Sequence, residues 1–593
     1  MIFEIPENKY QEANTYQKRD CYSELDDYIN NDSTKVCTIY GLRRTGKKTM
    51  MFQAMKEVGL ENIGYILCEN NDEYSQLCMK LNEFINQKKK VVFIDEITKI
   101  SDFMTSSASL ADYYSGKGTK IVITGTDSLG LNIVACGELF DRTEKIHTTY
   151  ISFGEFSRLL GKTDIDEYIQ YAGVLSHESK DEDRIFFNRE NASRYIDSAI
   201  SSNITNTFFK DKLPSSFIHK YDKLIGLHNR NVLIPIITAI VEMYSGVITK
   251  DSIDEYFKQK SYSSKYISSA MQMLSKHNIF IEKNRFNEDI EGQIVYALNS
   301  RRDINDTIDE DSISQIIDYL YDLELIMSIP LIYHNDNENA KRRGKEYVYK
   351  TDEYIYQAGM KYCQAKAVID IIKTIDLSPK EKELLCQKIE EDVKGQILEN
   401  SVDNDILHFI NKEKYNIFKM IFKGEKDGEI DLVIQDKEEK LYYCFEIKNS
   451  SEICERQQEH ISYKPYQDIL DSNFGEKKYA VVLYRGRTIE VNSLDIIYIN
   501  VEEFLLQLYY SNECNMDIII EKCIENARSI DINLPLDKYP VDLKIEQKIN
   551  EYVNKAKVAL EGVSDSIFTR KEKIDKSSEQ LSKQNIQYDD LGL

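Results

Sequence analysis

Short apolar runs alternate with polar stretches of helical spacing over the first 150 residues. Val36-Cys37-Thr38-Ile39, Ile63-Gly64-Tyr65-Ile66-Leu67, Val91-Val92-Phe93-Ile94 and Ile121-Val122-Ile123 are continuous rather than alternating, the pattern of strands buried on both faces. Between them, Met50 to Met55 and Tyr74 to Gln87 have helical spacing, and Tyr16 to Ile29 is expected to be a helix carrying Arg19, Leu25 and Tyr28. An α/β unit follows from this alternation.

The pattern then changes. From Glu155 to about Lys212 it is helical, as in Tyr168 to Leu175 and Tyr195 to Ile200. Helices at Ile248 to Tyr256 and Ser263 to His277 with a strand at Ile279 to Lys283 follow the order of a winged helix. After the acidic link Asp303 to Asp311 come a helix at Ile313 to Leu325 and strands at Ile329 to Tyr333 and Tyr347 to Lys350. A second α/β unit runs from the helix Gly395 to Asn400 through strands at 428–434, 443–448, 480–484 and 496–499 to a closing helix at Val501 to Leu508. Lys544 to Leu593 reads as a charged helix and an acidic end. The expected divisions are 1–155, 156–215, 216–300, 301–380, 381–512 and 513–593.

Length and composition agree with several globular domains, since 593 residues exceed what one core fills and 42% of them are hydrophobic. No apolar run reaches the roughly 18 residues of a membrane span. The N-terminus shows no secretory signal, and the 11 cysteines lack C-x-x-C pairs, so reduced thiols and a cytoplasmic location are expected. The net charge of -24 works against indiscriminate nucleic-acid binding, and any DNA or RNA contact must use a local basic surface. Lys341-Arg342-Arg343-Gly344-Lys345, the densest basic run of its region, is either a solvated hairpin tip, the commoner meaning of such a run, or a grip on a phosphate backbone. Ser263 to Ser269 either offers phosphate donors or serves a structural or protein-contact role.

Gly41-Leu42-Arg43-Arg44-Thr45-Gly46-Lys47-Lys48-Thr49 stands between a strand and a helix start. Glycines at 41 and 46 let backbone N–H groups wrap an anion, and Lys47 reaches the outer phosphates of a nucleotide. The next position normally carries a Mg²⁺-binding hydroxyl, but here it is Lys48, and Thr49 lies one residue further on. Slow hydrolysis of ATP is therefore expected. Asp95 and Glu96 end a buried strand, where Asp95 would hold Mg²⁺ and Glu96 polarise the attacking water. Thr126 or Asp127, ahead of Ser128, would sense the γ-phosphate.

In order, Gly41-x4-Gly46-Lys47, Phe93-Ile94-Asp95-Glu96 and Thr124-Gly125-Thr126 resemble an AAA+ type P-loop ATPase. With Ile151-Ser152-Phe153-Gly154-Glu155-Phe156 they are similar to a large prokaryotic ATPase family that ends in a restriction-endonuclease-like domain. The resemblance covers about residues 15 to 508. It implies a helical lid or connector after Glu155 and a matching arginine at Arg142, whose alternative is a surface salt bridge.

Farther on, Asp431 and Glu446-Ile447-Lys448 are spaced as D-x14-E-x-K, with Glu399 on an upstream helix. Alternation puts Glu446 and Lys448 on one strand face, with Asp431 on the neighbouring strand. The pattern resembles the PD-(D/E)XK phosphodiesterase fold, which implies Asp431 and Glu446 as Mg²⁺ ligands, Lys448 as the basic partner and Glu399 as a supporting acid. The whole reads as nucleotide control of a metal-dependent nuclease, suited to defence against foreign DNA or to DNA processing. A nucleotide-operated switch with a non-cleaving interaction domain and a DNA remodeller are the alternatives. A homo-oligomer and a protein partner at the C-terminal tail stay open, and no membrane association is expected.

Overall fold

The computed structural model describes residues 1–170 (except 71, 101, 137 and 138), 175, 215–229, 310–322, 326–335, 347–356, 378–423, 428–453, 455–491, 496–511 and 515–529. The winged-helix segment beyond 229, the Ser263 to Ser269 helix, the basic run at 341–345 and the tail at 544–593 lie outside the described residues.

The N-terminal unit is a parallel sheet of β1 (Val36–Tyr40), β2 (Ile63–Leu67), β3 (Val91–Asp95), β4 (Lys120–Thr124) and β5 (Thr143–His147), in the order β2-β3-β4-β1-β5. α1 (Glu7–Ala13), α2 (Tyr22–Asn30) and α3 (Lys47–Val58) cover one face, packing Tyr10, Leu25 and Met51 on Cys37, Ile39 and Phe93. α4 (Tyr74–Asn86), α5 (Phe103–Ser106) and α6 (Ser128–Cys136) cover the other, packing Leu77, Phe103 and Leu131 on Val92, Ile94 and Ile123. Burial on both faces explains why these strands read as unbroken apolar runs.

One helix expectation is corrected. The chain from Asn14 to Cys21 is not part of a helix from Tyr16 to Ile29; it separates α1 from α2. The side chain of Arg19 on this link is committed to carbonyls and a carboxylate outside it.

α7 (Phe153–Leu160) and α8 (Ile165–Gln170) follow β5. Ser152 caps α7 by accepting from Glu155 N–H at 3.0 Å. α9 (Ser215–Lys220), α10 (Asp222–Asn229) and α11 (Glu310–Asp322) cluster, with Gln315 bonded to Asp222.

The C-terminal sheet comprises β6 (Ile326–Asn335), β7 (Tyr347–Tyr356), β8 (Tyr415–Lys423), β9 (Gly428–Asp436), β10 (Leu441–Lys448), β11 (Glu476–Tyr484), β12 (Ile489–Val491) and β13 (Ile496–Asn500). Their order is β12-β13-β11-β10-β9-β8-β6-β7. α12 (Pro379–Phe409), α14 (Val501–Tyr510) and α15 (Met516–Ser529) form one packed group, in which α12 touches β10 and α14 touches β11 and β13. On the face that carries Phe418, Met420 and Val482, α13 (Lys464–Phe474) packs Tyr466 and Leu470.

Two boundaries shift. The strands β6 and β7, expected in a linking unit at 301–380, belong to this sheet: β6 pairs parallel with β8 and antiparallel with β7, which forms the edge. The start of the expected tail is α15, whose Met516, Ile519, Ile520 and Cys523 are fully buried. Among the described residues no helix is long and apolar enough to cross a membrane.

Candidate functional site

The loop after β1 owes its shape to two glycines. Gly41 has φ +142° and Gly46 φ +89°, and a methyl on Gly41 would lie 2.3 Å from Thr148 Oγ1. No side chain fits at 41. The Thr45 hydroxyl is buried, donating to the Leu42 carbonyl at 2.8 Å and lying 2.7 Å from Thr148 Oγ1, while Leu42 N–H donates to Thr149 Oγ1 at 3.0 Å. The connection after β5 therefore props the loop from below.

Arg19 supports the same loop from the side. Its guanidinium donates to the carbonyls of Thr45, Thr148 (3.2 Å) and Tyr150 (2.9 Å) and to both oxygens of Glu155 (2.6 and 3.0 Å). Both partners are buried. Against burial, which lowers it, Glu155 holds the Arg19 pKa above its ordinary value. This explains the Ser-Phe-Gly-Glu-Phe segment: it delivers Glu155 to Arg19, a partnership across 136 positions that the local pattern does not show.

The cavity over the loop is about 230 Å³. Arg43, Arg44, Thr45, Gly46, Lys47, Lys48 and Thr49 line it from the loop and α3, and Asp95, Glu96 and Thr126 from the ends of β3 and β4. The structure thus gathers every expected cradle residue except Gly41, which lies beneath, and Arg142. Lys47 Nζ donates to the carbonyls of Gly41 (2.6 Å) and Leu42 (2.7 Å), and burial brings its pKa down to about 8. Glu96, in left-handed backbone at φ 57°, accepts at Oε2 from Thr126 N–H (3.1 Å) and Thr126 Oγ1 (2.9 Å). Of the sensor candidates, Thr126 lines this cavity, while Asp127 accepts from Gly130 N–H at 2.8 Å as α6 begins.

Asp95 departs from its expected role. Its buried carboxylate is ion-paired with Lys48 Nζ at 2.7 Å, and Tyr65 OH lies 3.4 Å from the same oxygen. Burial raises the Asp95 pKa and the Lys48 ammonium opposes the rise. The hydroxyl that would share a Mg²⁺ with this acid is replaced by an ammonium that holds the acid, so the residues present do not fit Mg²⁺ here.

Arg142 is not brought to the cradle. Its carbonyl accepts from Val36 N–H at the start of β1, the end of the sheet remote from Gly41, and its side chain pairs with Asp112 at 2.8 Å. Its exposure, 47%, makes this a surface salt bridge.

A second cavity of about 120 Å³ abuts the first, sharing Arg44, Gly46 and Thr49 and adding Tyr16, Gln17, Arg19, Gln53, Leu159 and Leu175. Gln53 Nε2 donates to the carbonyls of Ala13 (3.1 Å) and Tyr16 (2.9 Å). Its buried Oε1 has no hydrogen-bond partner.

In the C-terminal unit Asp431, Glu446 and Lys448 meet. Lys448 Nζ lies 2.9 Å from Asp431 Oδ2 and 2.5 Å from Glu446 Oε2, and Ile447 N–H donates to Asp431 Oδ2 at 2.7 Å. Burial, then Glu446, raises the Asp431 pKa; against desolvation, the two carboxylates raise that of Lys448. His460, which the sequence did not single out, places Nδ1 3.7 Å from Glu446 Oε1, and Glu446 raises its pKa.

Glu399 is not part of this group. It is bound by Lys419, which also pairs with Asp403 at 3.1 Å. Phe418, Met420 and Phe422 point into the core under α13, so Lys419, set between them, faces α12 instead. Glu446 shares the α13 side with Cys444. Among the described residues no group of three or more His, Cys, Asp or Glu is arranged to hold a metal. Two carboxylates suit a largely hydrated Mg²⁺, and Glu446 Oε1 is buried without a hydrogen-bond partner, so Asp431 and Glu446 fit such an ion.

Among the described residues the two units touch at several points, one of them Arg485 against Asp164 and Asp166. Asp405 of α12 accepts from Tyr150 OH and from Phe153 N–H at 3.1 Å, and burial pushes its carboxyl pKa up to about 7. Tyr509 of α14 accepts from Arg158 Nε at 2.9 Å and donates to Asp20 at 2.9 Å.

Residues 33–157 match the family model described as an AAA domain. The match contains the cradle and supports a P-loop ATPase core with a nucleotide-binding role. Among solved structures, a chain of the S. cerevisiae Hsp104:casein complex in its extended conformation is similar at 11% identity, covering 82% of this chain and 98% of that one with a TM-score of 0.25. No curated protein sequence matches the chain.

Proposed function

We propose that the chain binds ATP in the cradle, hydrolyses it slowly, and through its nucleotide state controls a nuclease-like C-terminal unit that acts on nucleic acid. The observation that carries the nucleotide half is the single cavity shared by the two-glycine loop, Lys47 and the Glu96–Thr126 pair. Backbone N–H groups and Lys47 take the phosphates. Thr126 fixes Glu96, which orients water at the terminal phosphate. The smaller cavity takes the base, where Gln53 Oε1 accepts from an exocyclic amine.

Control is supported by the contacts from Thr45 through Arg19 to Tyr150, and from Tyr150 to Asp405 on α12. The nuclease half rests on the meeting of Asp431, Glu446 and Lys448. A divalent cation held by Asp431 and Glu446 would supply charge neutralisation at the phosphate and a more acidic water. Lys448 stays protonated and adds positive charge beside the phosphate, while Ile447 N–H holds Asp431 in place. Such a pairing suits defence against foreign DNA.

The test is cleavage of DNA by the full chain with Mg²⁺. Wild type should cut, EDTA should stop it, and Asp431→Ala and Lys448→Ala should each slow it about a hundredfold or more. Identical traces for all three proteins would end the nuclease reading. One observation favours the alternative of a non-cleaving interaction domain: Lys448 pairs with both acids at once, closing the cluster on itself.

A further inference from the structure

A P-loop site normally gives a nucleotide-bound Mg²⁺ two protein handholds, a hydroxyl directly after the lysine and an acid at the end of a nearby strand. This protein offers neither. The first position is Lys48, and its ammonium holds the acid, Asp95, at 2.7 Å. Asp95 is buried, whereas the Lys48 side chain is 41% exposed toward the cavity it lines. The nearest hydroxyl, Thr49, is turned by about 100° around α3 and does not replace the missing one.

The charges around the cavity supply what the metal would. Arg43, Arg44, Lys47 and Lys48 face Asp95 and Glu96, a surplus of two positive charges before any ion is added. A divalent ion beside Asp95 would sit against the Lys48 ammonium with its carboxylate already engaged, and like charges at contact distance repel. A triphosphate meets the reverse situation, since Lys48 can donate to a phosphate oxygen while it keeps Asp95 neutralised.

We propose that this cradle takes nucleoside triphosphate free of divalent cation, with the Lys48 ammonium, anchored by Asp95, standing where the metal would stand. The inference rests on the nucleotide-binding reading above. It separates binding from hydrolysis: triphosphate is held without metal, and the site works first as a sensor of nucleotide.

Isothermal titration of ATP into the full-length protein tests it, once in EDTA and once in Mg²⁺. The dissociation constants should agree within about threefold. Lys48→Thr, which restores the hydroxyl and releases Asp95, should bind about tenfold more weakly in EDTA than in Mg²⁺, while Lys48→Arg should keep the wild-type indifference. Wild-type binding seen only with Mg²⁺ overturns the inference and leaves the nucleotide reading intact. Binding in neither buffer overturns the nucleotide reading itself. Equal affinities of Lys48→Thr in both buffers would also overturn the inference. The wild-type comparison needs no variant, so a misfolded Lys48→Thr leaves the test standing.

Discussion

In the cradle Lys48 pairs with one buried carboxylate and has Arg43, Arg44 and Lys47 around the same cavity. In the C-terminal unit Lys448 pairs with two carboxylates, and the further titratable group at the pair is His460. The cradle carries surplus positive charge and accepts an anion directly. With His460 neutral, the C-terminal cluster carries one more carboxylate than ammonium and repels a phosphate until a cation enters. A lysine bound to acids therefore marks opposite requirements for metal, decided by the charges behind it.

The largest effect expected from this contrast is at the cluster. Lys448→Met leaves Asp431 and the buried Glu446 facing each other, and should cost about 3–5 kcal/mol at neutral pH. Urea unfolding followed by tyrosine fluorescence measures it, as the chain has no Trp. Added Mg²⁺ should recover part of the loss, and no recovery would break the idea that the acids accept a cation.

Next is the cradle itself. Lys47→Ala should weaken ATP about a hundredfold in equilibrium binding, because a buried ammonium at the phosphate position is lost. An unchanged affinity would remove the cradle from the comparison.

A third prediction lies on the seam between the two regions. The Asp405 carboxyl has a folded pKa raised to about 7, so the folded state holds its proton over a range where the unfolded chain has lost it. Its stabilisation is complete below about pH 4 and is lost as pH rises through about 7, with a slope of up to about 1.4 kcal/mol per pH unit. Denaturation midpoints of Asp405→Asn should lack this part of the pH dependence. A difference between variant and wild type that stays constant with pH would refute it.

The smallest effect belongs to the base pocket. Gln53→Leu should reduce any preference for ATP over GTP by about three- to tenfold in competition binding, the worth of one hydrogen bond.

Much of the cradle was legible because its signals are local. Glycines at the turn, Lys47 one position beyond and acids at a strand end are all set by neighbours in sequence. Strand alternation likewise put Glu446 and Lys448 on one face before any partner was known. What could not be read depends on pairing across the fold. Lys48 was visible as a missing hydroxyl but not as the partner of Asp95, and Arg19 was visible without its carboxylate at 155. Glu399 had the right residue type on the right kind of helix, yet Lys419, a charge set between Phe418 and Met420 in β8, takes it to the other face of the sheet. Arg142 failed for a topological reason, since parallel strands put β5's first residues at the opposite end of the sheet from β1's last.

The ring of Tyr509 lies directly on the backbone of α7, and a methyl at Gly154 would come within 2.2 Å of its Cγ. An aromatic seated on bare main chain leaves no slack for sliding. With the Arg158 and Asp20 bonds fastening the phenol's far end, a tilt of α7 must drag α14 with it, so the joint acts as a weld rather than a bearing.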